Sequence, residues 1–305
     1  MLVIFKECIM KPTKTIWKVA TVLLLVFTRL FTACQSTGGS QSMNSVKRDS
    51  EAVRTFERGE AFFHNNDFQK AIEEYSKVIE IEPEWAEAFI GRGNARIWGL
   101  DALEMGQEDF DKAAALNPQL RDYAQAFRYY LDRDYERAIE TYNIVIQNGI
   151  NLMNAYSDRG NSYFHIGEFE KAIADHAEAI RLSPNFYGNY TNRARVYIQI
   201  EQYDMAIADC EQAIRLYPNY YASYILRAFI YYQEDDFSRA IPDFSQAIQL
   251  RPDYVDLYLF RGDCYLQIGD YDKATADIDM ALKLDPGNED ARDLRGEIRA
   301  LRAAQ

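Results

Sequence analysis

The stretch from residue 187 to residue 254 decides the fold, because it contains two copies of one 34-residue block. The copies read YGNYTNRARVYIQIEQYDMAIADCEQAIRLYPNY and YASYILRAFIYYQEDDFSRAIPDFSQAIQLRPDY. In the first copy, small residues stand twenty-four, twelve and five positions before Pro218, at Ala194, Ala206 and Ala213. The second copy repeats this spacing before its own proline. A unit of this length cannot bury its apolar face alone, so the copies must stack side by side.

The same block extends in both directions along the chain. Seven units can be aligned, and they begin at Ala52, Ala86, Gln119, Met153, Tyr187, Tyr221 and Val255. The small residues let two antiparallel helices approach closely, and the aromatic residues fill the grooves between them. The closing proline cannot continue a helix, and polar turns such as Gly167-Glu168 favour a tight reversal. Each unit is therefore predicted to be a helix, a turn and a second helix.

This pattern resembles the tetratricopeptide repeat (TPR), whose signature has small residues, Tyr or Phe, Ala and a terminal Pro in these relative places. The resemblance implies an all-α, right-handed superhelical solenoid with seven repeats, at 52–85, 86–118, 119–152, 153–186, 187–220, 221–254 and 255–288. Two repeats depart from the pattern. The second has Gly106 in place of Ala and one extra residue near Gly99, and the third ends at Gly149-Ile150 without a proline.

The segment 289–305 is predicted to be a capping helix. Apolar residues share one face at helical spacing, at Ala291, Leu294, Ile298 and Leu301. Arginines cover the other face, at Arg292, Arg295, Arg299 and Arg302. A terminal repeat needs such a polar outer face to remain soluble.

The N-terminus predicts export and anchoring. A basic region precedes the mainly apolar run 19–27, and the sequence Phe31-Thr-Ala-Cys34 follows, which is typical of a secretory signal. The end of this segment resembles a bacterial lipoprotein motif, which implies a signal at 1–33 and lipidation of Cys34. An uncleaved membrane anchor is the alternative, although the apolar run is shorter than the roughly 20 residues of a spanning helix.

Residues 34–50 are then predicted to be a flexible tether, since they are rich in Gly, Ser and Gln. Gln35 stands where many lipoproteins retained in the inner membrane carry Asp. By that family rule, the resemblance implies the periplasmic side of the outer membrane rather than of the inner one.

Composition excludes several classes of function. The formal net charge is −13, which argues against nucleic acid as a partner. The chain has three histidines and lacks the common catalytic, metal-binding and phosphate-binding motifs, so we predict no catalytic residue, no metal and no cofactor. Cys210 and Cys264 lie in different repeats and are predicted to be small buried side chains rather than a disulfide.

Charged residues also follow the repeat. Six repeats carry Arg just before the first small residue and an acid in the second helix, whereas the third has Gln125 and Thr141 instead. The co-occurrence predicts structural ion pairs within or between repeats, at Arg58 and Glu74, Arg92 and Asp109, Arg159 and Asp175, Arg193 and Asp209, Arg227 and Asp243, and Arg261 and Asp277. The alternative is that duplication has merely copied exposed charges.

In TPR proteins the first helix of each pair lines the concave face, which implies a groove for a protein or peptide partner. The corresponding residues here are Tyr123, Phe127, Tyr130, Asn154, Ser157, Asn161, Thr191, Arg195, Ile225, Phe229 and Tyr232. They form a polar floor with an aromatic patch on each side, which suits an extended peptide. The alternatives are that the aromatic residues belong to the core, or that the inner face is covered by self-association or by a terminal segment.

We therefore predict a non-enzymatic, membrane-tethered TPR scaffold or adaptor at the bacterial cell envelope. The alternative is a ligand-binding accessory protein of a solute-transport system, in which Arg195 and the polar floor would hold an acidic or aromatic ligand. The chaperone-binding members of the family carry a Lys and an Asn where this chain has Phe56 and Glu60, so chaperone C-termini are not expected as partners.

Overall fold

The protein is described by a computed structural model that covers residues 48–64, 67–100, 102–149 and 152–303. These residues form α-helices and one short 3-10 turn, Pro118–Leu120, and the described ranges contain no strand. They fall into two compact units, an N-terminal unit of residues 48–216 and a C-terminal unit of residues 217–303. The expectation of an all-α repeat fold is confirmed.

The N-terminal unit is a row of five helical hairpins. Its helices are α1 (Ser50–His64), α2 (Phe68–Ile81), α3 (Ala86–Leu100), α4 (Leu103–Leu116), α5 (Arg121–Leu131), α6 (Tyr135–Gln147), α7 (Leu152–His165), α8 (Phe169–Leu182), α9 (Tyr187–Gln199) and α10 (Tyr203–Leu216). Consecutive helices pack together, and the first helices of neighbouring repeats also touch, α5 with α7 and α7 with α9. These first helices therefore form one continuous layer in this part of the unit.

The C-terminal unit contains two further hairpins and a final helix. Its helices are α11 (Tyr221–Gln233), α12 (Phe237–Leu250), α13 (Val255–Gln267), α14 (Tyr271–Leu284) and α15 (Glu289–Ala303). The final helix buries Ala291, Leu294 and Ile298, as the sequence predicts. Leu301, which was expected on the same face, is 41 % exposed, because no later helix among the described residues covers the last turn.

The small residues act as predicted. An added Cβ at Gly160 would come within 3.0 Å of the His176 ring, and one at Gly262 would come within 2.9 Å of Ile278. The alanine near the start of the second helix is fully buried in every repeat except the second, which has Gly106 there, as at Ala172. Side chains larger than these would force the two helices of a hairpin apart.

The five hairpins of the third to seventh repeats, whose turns are among the described residues, use a left-handed backbone conformation in the turn. Gly167 and Gly269 have φ values of 81° and 79°, but three other hairpins place a residue with a side chain at this position. These residues are Arg133, Glu201 and Asp235, with φ values from 57° to 61°. Such a conformation is unfavourable for residues other than glycine, so these three turns carry local strain.

A capping motif recurs at the second helix. Asp67, Asp134, Asp236 and Asp270 each accept a hydrogen bond from the backbone N–H three residues later. The residue three positions on is basic and pairs with the same carboxylate, as Lys273 does with Asp270 at 2.7 Å. In the second and fifth repeats both members are missing, and methionines at the basic position are about half exposed, at Met105 and Met205.

Candidate functional site

The repeated Arg and acid residues are paired in the structure. Five of the arginines donate from both Nε and Nη2 to one carboxylate, with distances of 2.7–3.0 Å, at Arg92 to Asp109, Arg159 to Asp175, Arg193 to Asp209, Arg227 to Asp243 and Arg261 to Asp277. Arg58 is more exposed and donates only its Nε to Glu74, at 2.7 Å. Each pair joins the two helices of one hairpin.

Several of these arginines also reach back to the preceding repeat. The Nη1 atom of Arg261 donates to Ser245 at 2.9 Å, and that of Arg92 donates to Ser76 at 3.2 Å. The partner lies sixteen residues before the arginine in each case. One guanidinium therefore connects three helices, so the contacts of these charged residues stabilise the scaffold.

The third repeat, which lacks the Arg and acid, is joined to the fourth by the contact of Arg159 with Asn143 on α6 and also by a contact between first helices. Tyr123 on α5 donates its phenol to the carboxyl of Asp158 on α7 at 2.9 Å, and both side chains are buried. Burial raises the pKa of Asp158 to about 7, against the opposing effect of the hydrogen bond from Tyr123. Below that pH the carboxyl is mostly neutral, which makes its burial tolerable.

The three aromatic residues predicted for the groove in the third repeat lie in the hydrophobic core. Phe127 packs edge-on against Phe110 at 5.1 Å between ring centroids, and it is 1 % exposed. Tyr123 and Tyr130 belong to the same cluster. Core packing thus accounts for these side chains, as the alternative interpretation of the sequence allows.

The polar residues predicted for the floor come together on α7 and α9. We call the inner polar patch the set Asn154, Ser157, Asp158, Asn161, Thr191, Asn192 and Arg195. All seven are at most 6 % exposed. Asn192 donates to Ser157 at 3.3 Å, and Arg195 donates from Nη2 to the Oδ1 of Asn161 at 3.4 Å. The Nδ2 atom of Asn161 is buried and has no hydrogen-bond partner among the described residues.

Arg195 dominates the electrostatics of the patch. Its guanidinium lies over the ring of Phe164, 4.4 Å from the centroid. Burial, together with the charges of Arg195 and Arg133, lowers the pKa of His165 to about 3. His176 has a pKa of about 3 for the same reasons, burial first and then the charges of Arg195 and Arg193. Both imidazoles are neutral at physiological pH, so they cannot offset the negative charge of a bound group.

His165 and His176 make packing contacts in the described part of the chain. His165 stacks on Tyr135, with centroids 4.6 Å apart and planes 9° from parallel, and its Nε2 lies 3.4 Å from the Tyr130 hydroxyl. His176 fills an aromatic packing position in α8 and is fully buried. Among the described residues no group of His, Cys, Asp or Glu could hold a metal ion.

The groove residues predicted in the sixth repeat belong to the C-terminal unit. Ile225 is fully buried and Phe229 is half-buried. Tyr232 donates to the carboxylate of Asp263, and its ring packs edge-on against Phe260 at 5.6 Å. Gln267 also donates to Asp263, at 3.1 Å.

Sequence reasoning missed Asp158, Asn192 and His165. Each contacts a residue 35 positions away in a neighbouring repeat, as Tyr123 to Asp158, Ser157 to Asn192 and Tyr130 to His165. A contact between first helices one repeat apart is expected near a separation of 34, so pairing polar residues at that spacing could have found them.

Predictions for residues 1–47 are outside the described residues, including the signal, lipidation of Cys34 and most of the tether. The tether was predicted to extend to residue 50, but Ser50 already begins α1. In the described part of the chain, no helix combines the length and apolar composition needed to cross a bilayer. Cys210 and Cys264 are buried thiols, as predicted.

Comparison with solved structures supports the fold. A chain of the APC/C hetero-tetramer Cut9–Hcn1 matches with a TM-score of 0.64 and 14 % identity, over 84 % of this chain and 50 % of that one. This chain thus spans half the length of that relative. MamA from Desulfovibrio magneticus RS-1 matches with a TM-score of 0.51 and 16 % identity, over 57 % and 98 % of the two chains. At these identities the similarity establishes the fold alone.

Family comparison identifies the repeat itself. Sequence models of the tetratricopeptide repeat match residues 56–84, 154–186, 190–220 and 231–298, which together make up more than half of the chain. A search of curated proteins finds no match. The family models, the hairpins and the recurring Arg–acid pairs agree, and the chain belongs to the tetratricopeptide-repeat family.

Proposed function

We propose that this protein is a non-enzymatic scaffold that binds a protein or peptide partner through the inner polar patch, and that it is tethered to the bacterial cell envelope by lipid on Cys34. The tetratricopeptide fold suggests an interaction scaffold, and none of the matched families is enzymatic. One observation carries the choice of surface, which is the buried Nδ2 atom of Asn161 without a partner among the described residues. A buried donor of this kind is costly unless something accepts its hydrogen bond.

The arrangement of the patch fits an extended peptide. Its amides and hydroxyls come from two adjacent first helices, α7 and α9, whose corresponding residues repeat every 34 positions. Side-chain amides can donate to and accept from a peptide backbone without regard to its sequence. The patch therefore supplies backbone contacts, while the neighbouring charges and rings supply selectivity.

Capture from an envelope extract tests the binding surface. The full chain carries a C-terminal affinity tag and is compared with Asn161→Ala, which removes the unpartnered donor but leaves the arginine pairs intact. We expect at least a severalfold loss of the captured partner. The matched control is Asn185→Ala, an exposed asparagine between α8 and α9. Equal capture by wild type and Asn161→Ala, with unchanged helical content, would show that the patch is not the binding surface.

The tether is a separate proposal that rests on the sequence around Cys34. Its position predicts acylation, and Gln35 favours the outer membrane over the inner one, on the periplasmic side. Labelled palmitate should enter the full chain expressed in bacteria, and Cys34→Ala should abolish the label. Cys8→Ala is the matched control, since Cys8 precedes the proposed cleavage site. If the wild-type chain takes up no label, the lipidation proposal is wrong, and the segment is a plain signal or an uncleaved anchor.

A further inference from the structure

Arg195 is exceptional among the residues at the inner face. In the first five repeats, the positions that line this face in the family contain a single Lys or Arg, which is Arg195. The other charged residues at those positions are the acids Glu60 and Glu87, and the chain as a whole carries a net charge of −13. A buried cation at this point makes the inner polar patch a local region of positive potential in an acidic protein.

Two donors of the patch are positioned together. The Nη2 atom of Arg195 lies 3.4 Å from the Oδ1 atom of Asn161, so the oxygen of this amide already accepts a hydrogen bond. The Nδ2 atom of the same amide is buried and has no partner among the described residues. The guanidinium and the amide nitrogen therefore form a pair of donors beside the Phe164 ring.

A carboxylate matches this pair better than an amide does. Its two oxygens can accept from both donors, whereas a side-chain amide would bring its own N–H groups against them. His165 is neutral, with a pKa of about 3, and so does not compete for the anion as a second cation. Asp158 is mostly protonated below about pH 7, with its carboxyl accepting from Tyr123, so its repulsion of an anion is weakest at and below neutral pH.

Building on the proposed function, we propose that the inner polar patch selects an extended partner segment that presents an Asp or Glu side chain to Arg195 and Asn161. The patch amides then hold the backbone on either side of that residue. The residues that carry the preference are the arginine and the asparagine, one repeat apart. Charge-assisted hydrogen bonds at a water-excluded site give selectivity for the acid over its amide.

A peptide array tests this preference directly. The full chain, purified in mild detergent, is applied to an array of randomised twelve-residue peptides with acetylated N-termini and amidated C-termini. We expect binders to be enriched in Asp or Glu at one position. Changing that residue to Asn or Gln in the best peptide should weaken binding at least tenfold, and this measurement does not depend on any protein variant. A parallel array with free C-termini detects recognition of a terminal carboxylate instead.

Protein variants connect the preference to the patch. Arg195→Gln should abolish the acid enrichment, and Arg195→Lys should retain part of it because the charge remains. Arg181→Gln is the matched control, since this exposed arginine pairs only with Glu178 on its own helix in the described contacts. Circular dichroism checks that each variant folds. The inference is overturned by an absence of binders, by equal enrichment with Arg195→Gln, or by binding restricted to free C-termini.

The outcome separates this inference from the proposed function. If Asn161→Ala loses its partner in envelope capture while the array shows no acid preference, the binding surface stands and the carboxylate inference fails. If capture is unaffected by Asn161→Ala, the proposed function fails at this surface whatever the array shows.

Discussion

Asp158 allows a sharp test of how the third and fourth repeats are joined. Its carboxyl is 3 % exposed and accepts a hydrogen bond from Tyr123 in the neighbouring repeat. We expect Asp158→Asn to change the pH dependence of stability, because an amide keeps an acceptor for Tyr123 but has no proton to lose. The variant should fold and should be the more stable protein at alkaline pH.

The magnitude follows from the raised pKa. Burial raises the pKa of Asp158 from 3.8 to about 7. Since one pKa unit corresponds to about 1.4 kcal/mol, the full effect on the free energy of unfolding is about 4 kcal/mol. Below pH 3.8 both the folded and the unfolded protein hold the proton. Between that pH and about 7 only the folded protein holds it, so stability falls as the pH rises; above about 7 the effect is complete.

Urea unfolding of wild type and Asp158→Asn over this pH range provides the assay. The difference between the two proteins isolates Asp158 from other titrating groups such as Glu60, whose pKa burial also raises, to about 8. Amide hydrogen exchange in α5 and α7 locates the effect, because opening in a repeat protein can be local. Asp204→Asn, at an exposed aspartate, is the control.

The reasoning is refuted if the two stability curves run parallel from acid to alkaline pH. It is also refuted if Asp158→Asn is the less stable protein above pH 7, because the carboxylate would then be stabilised in the folded state. A difference that appears equally in all helices would place the effect outside the contact between α5 and α7.

Three further predictions concern the scaffold. A double-mutant cycle on Arg193 and Asp209 should give a coupling of about 1–3 kcal/mol, measured by urea unfolding, and a coupling near zero would contradict pairing through two hydrogen bonds. Gly91→Ala should lower the free energy of unfolding by about 1–3 kcal/mol in urea, because the added Cβ would lie 2.6 Å from the buried ring of Tyr75. At Gly296 an added Cβ would meet nothing within 4 Å, so Gly296→Ala should raise the free energy of unfolding by up to about 1 kcal/mol. Glu201→Gly should relieve the strain of a positive φ of 58° and so increase the free energy of unfolding by about 1 kcal/mol, which would appear as a higher melting temperature. A lower melting temperature would show that the turn is not strained.

The repeat made the scaffold predictable. Spacing alone predicted which residues must be small, such as Gly160, and which charged residues would occur together, such as Arg193 and Asp209. These features depend on contacts inside one hairpin, which the period repeats many times. Averaging over copies therefore makes the scaffold pattern visible in a single chain.

The inner face was harder to predict, because the residue types that meet there differ from one repeat to the next. Phe127 occupies a position that faces a partner in the family, yet here its ring packs on Phe110 from the preceding repeat. The link from Tyr123 to Asp158 needed the identity of both residues as well as the geometry of two first helices. The same register recurs between Ser157 and Asn192, but with different residue types, so the internal copy indicates the spacing and not the chemistry of the contact.

The backward contacts of the arginines bear on how such a chain can change its length. Arg261 reaches Asp277 sixteen residues ahead and Ser245 sixteen residues behind. If one whole 34-residue block is duplicated or deleted, each such arginine still has a partner sixteen residues before it and another sixteen residues after it. This holds wherever the breakpoints fall, provided that the joined copies carry the same residue types. A change of half a block would leave a partly buried guanidinium without its carboxylate, which is destabilising. The same ionic contacts that hold each hairpin thus restrict viable rearrangements to multiples of the full period.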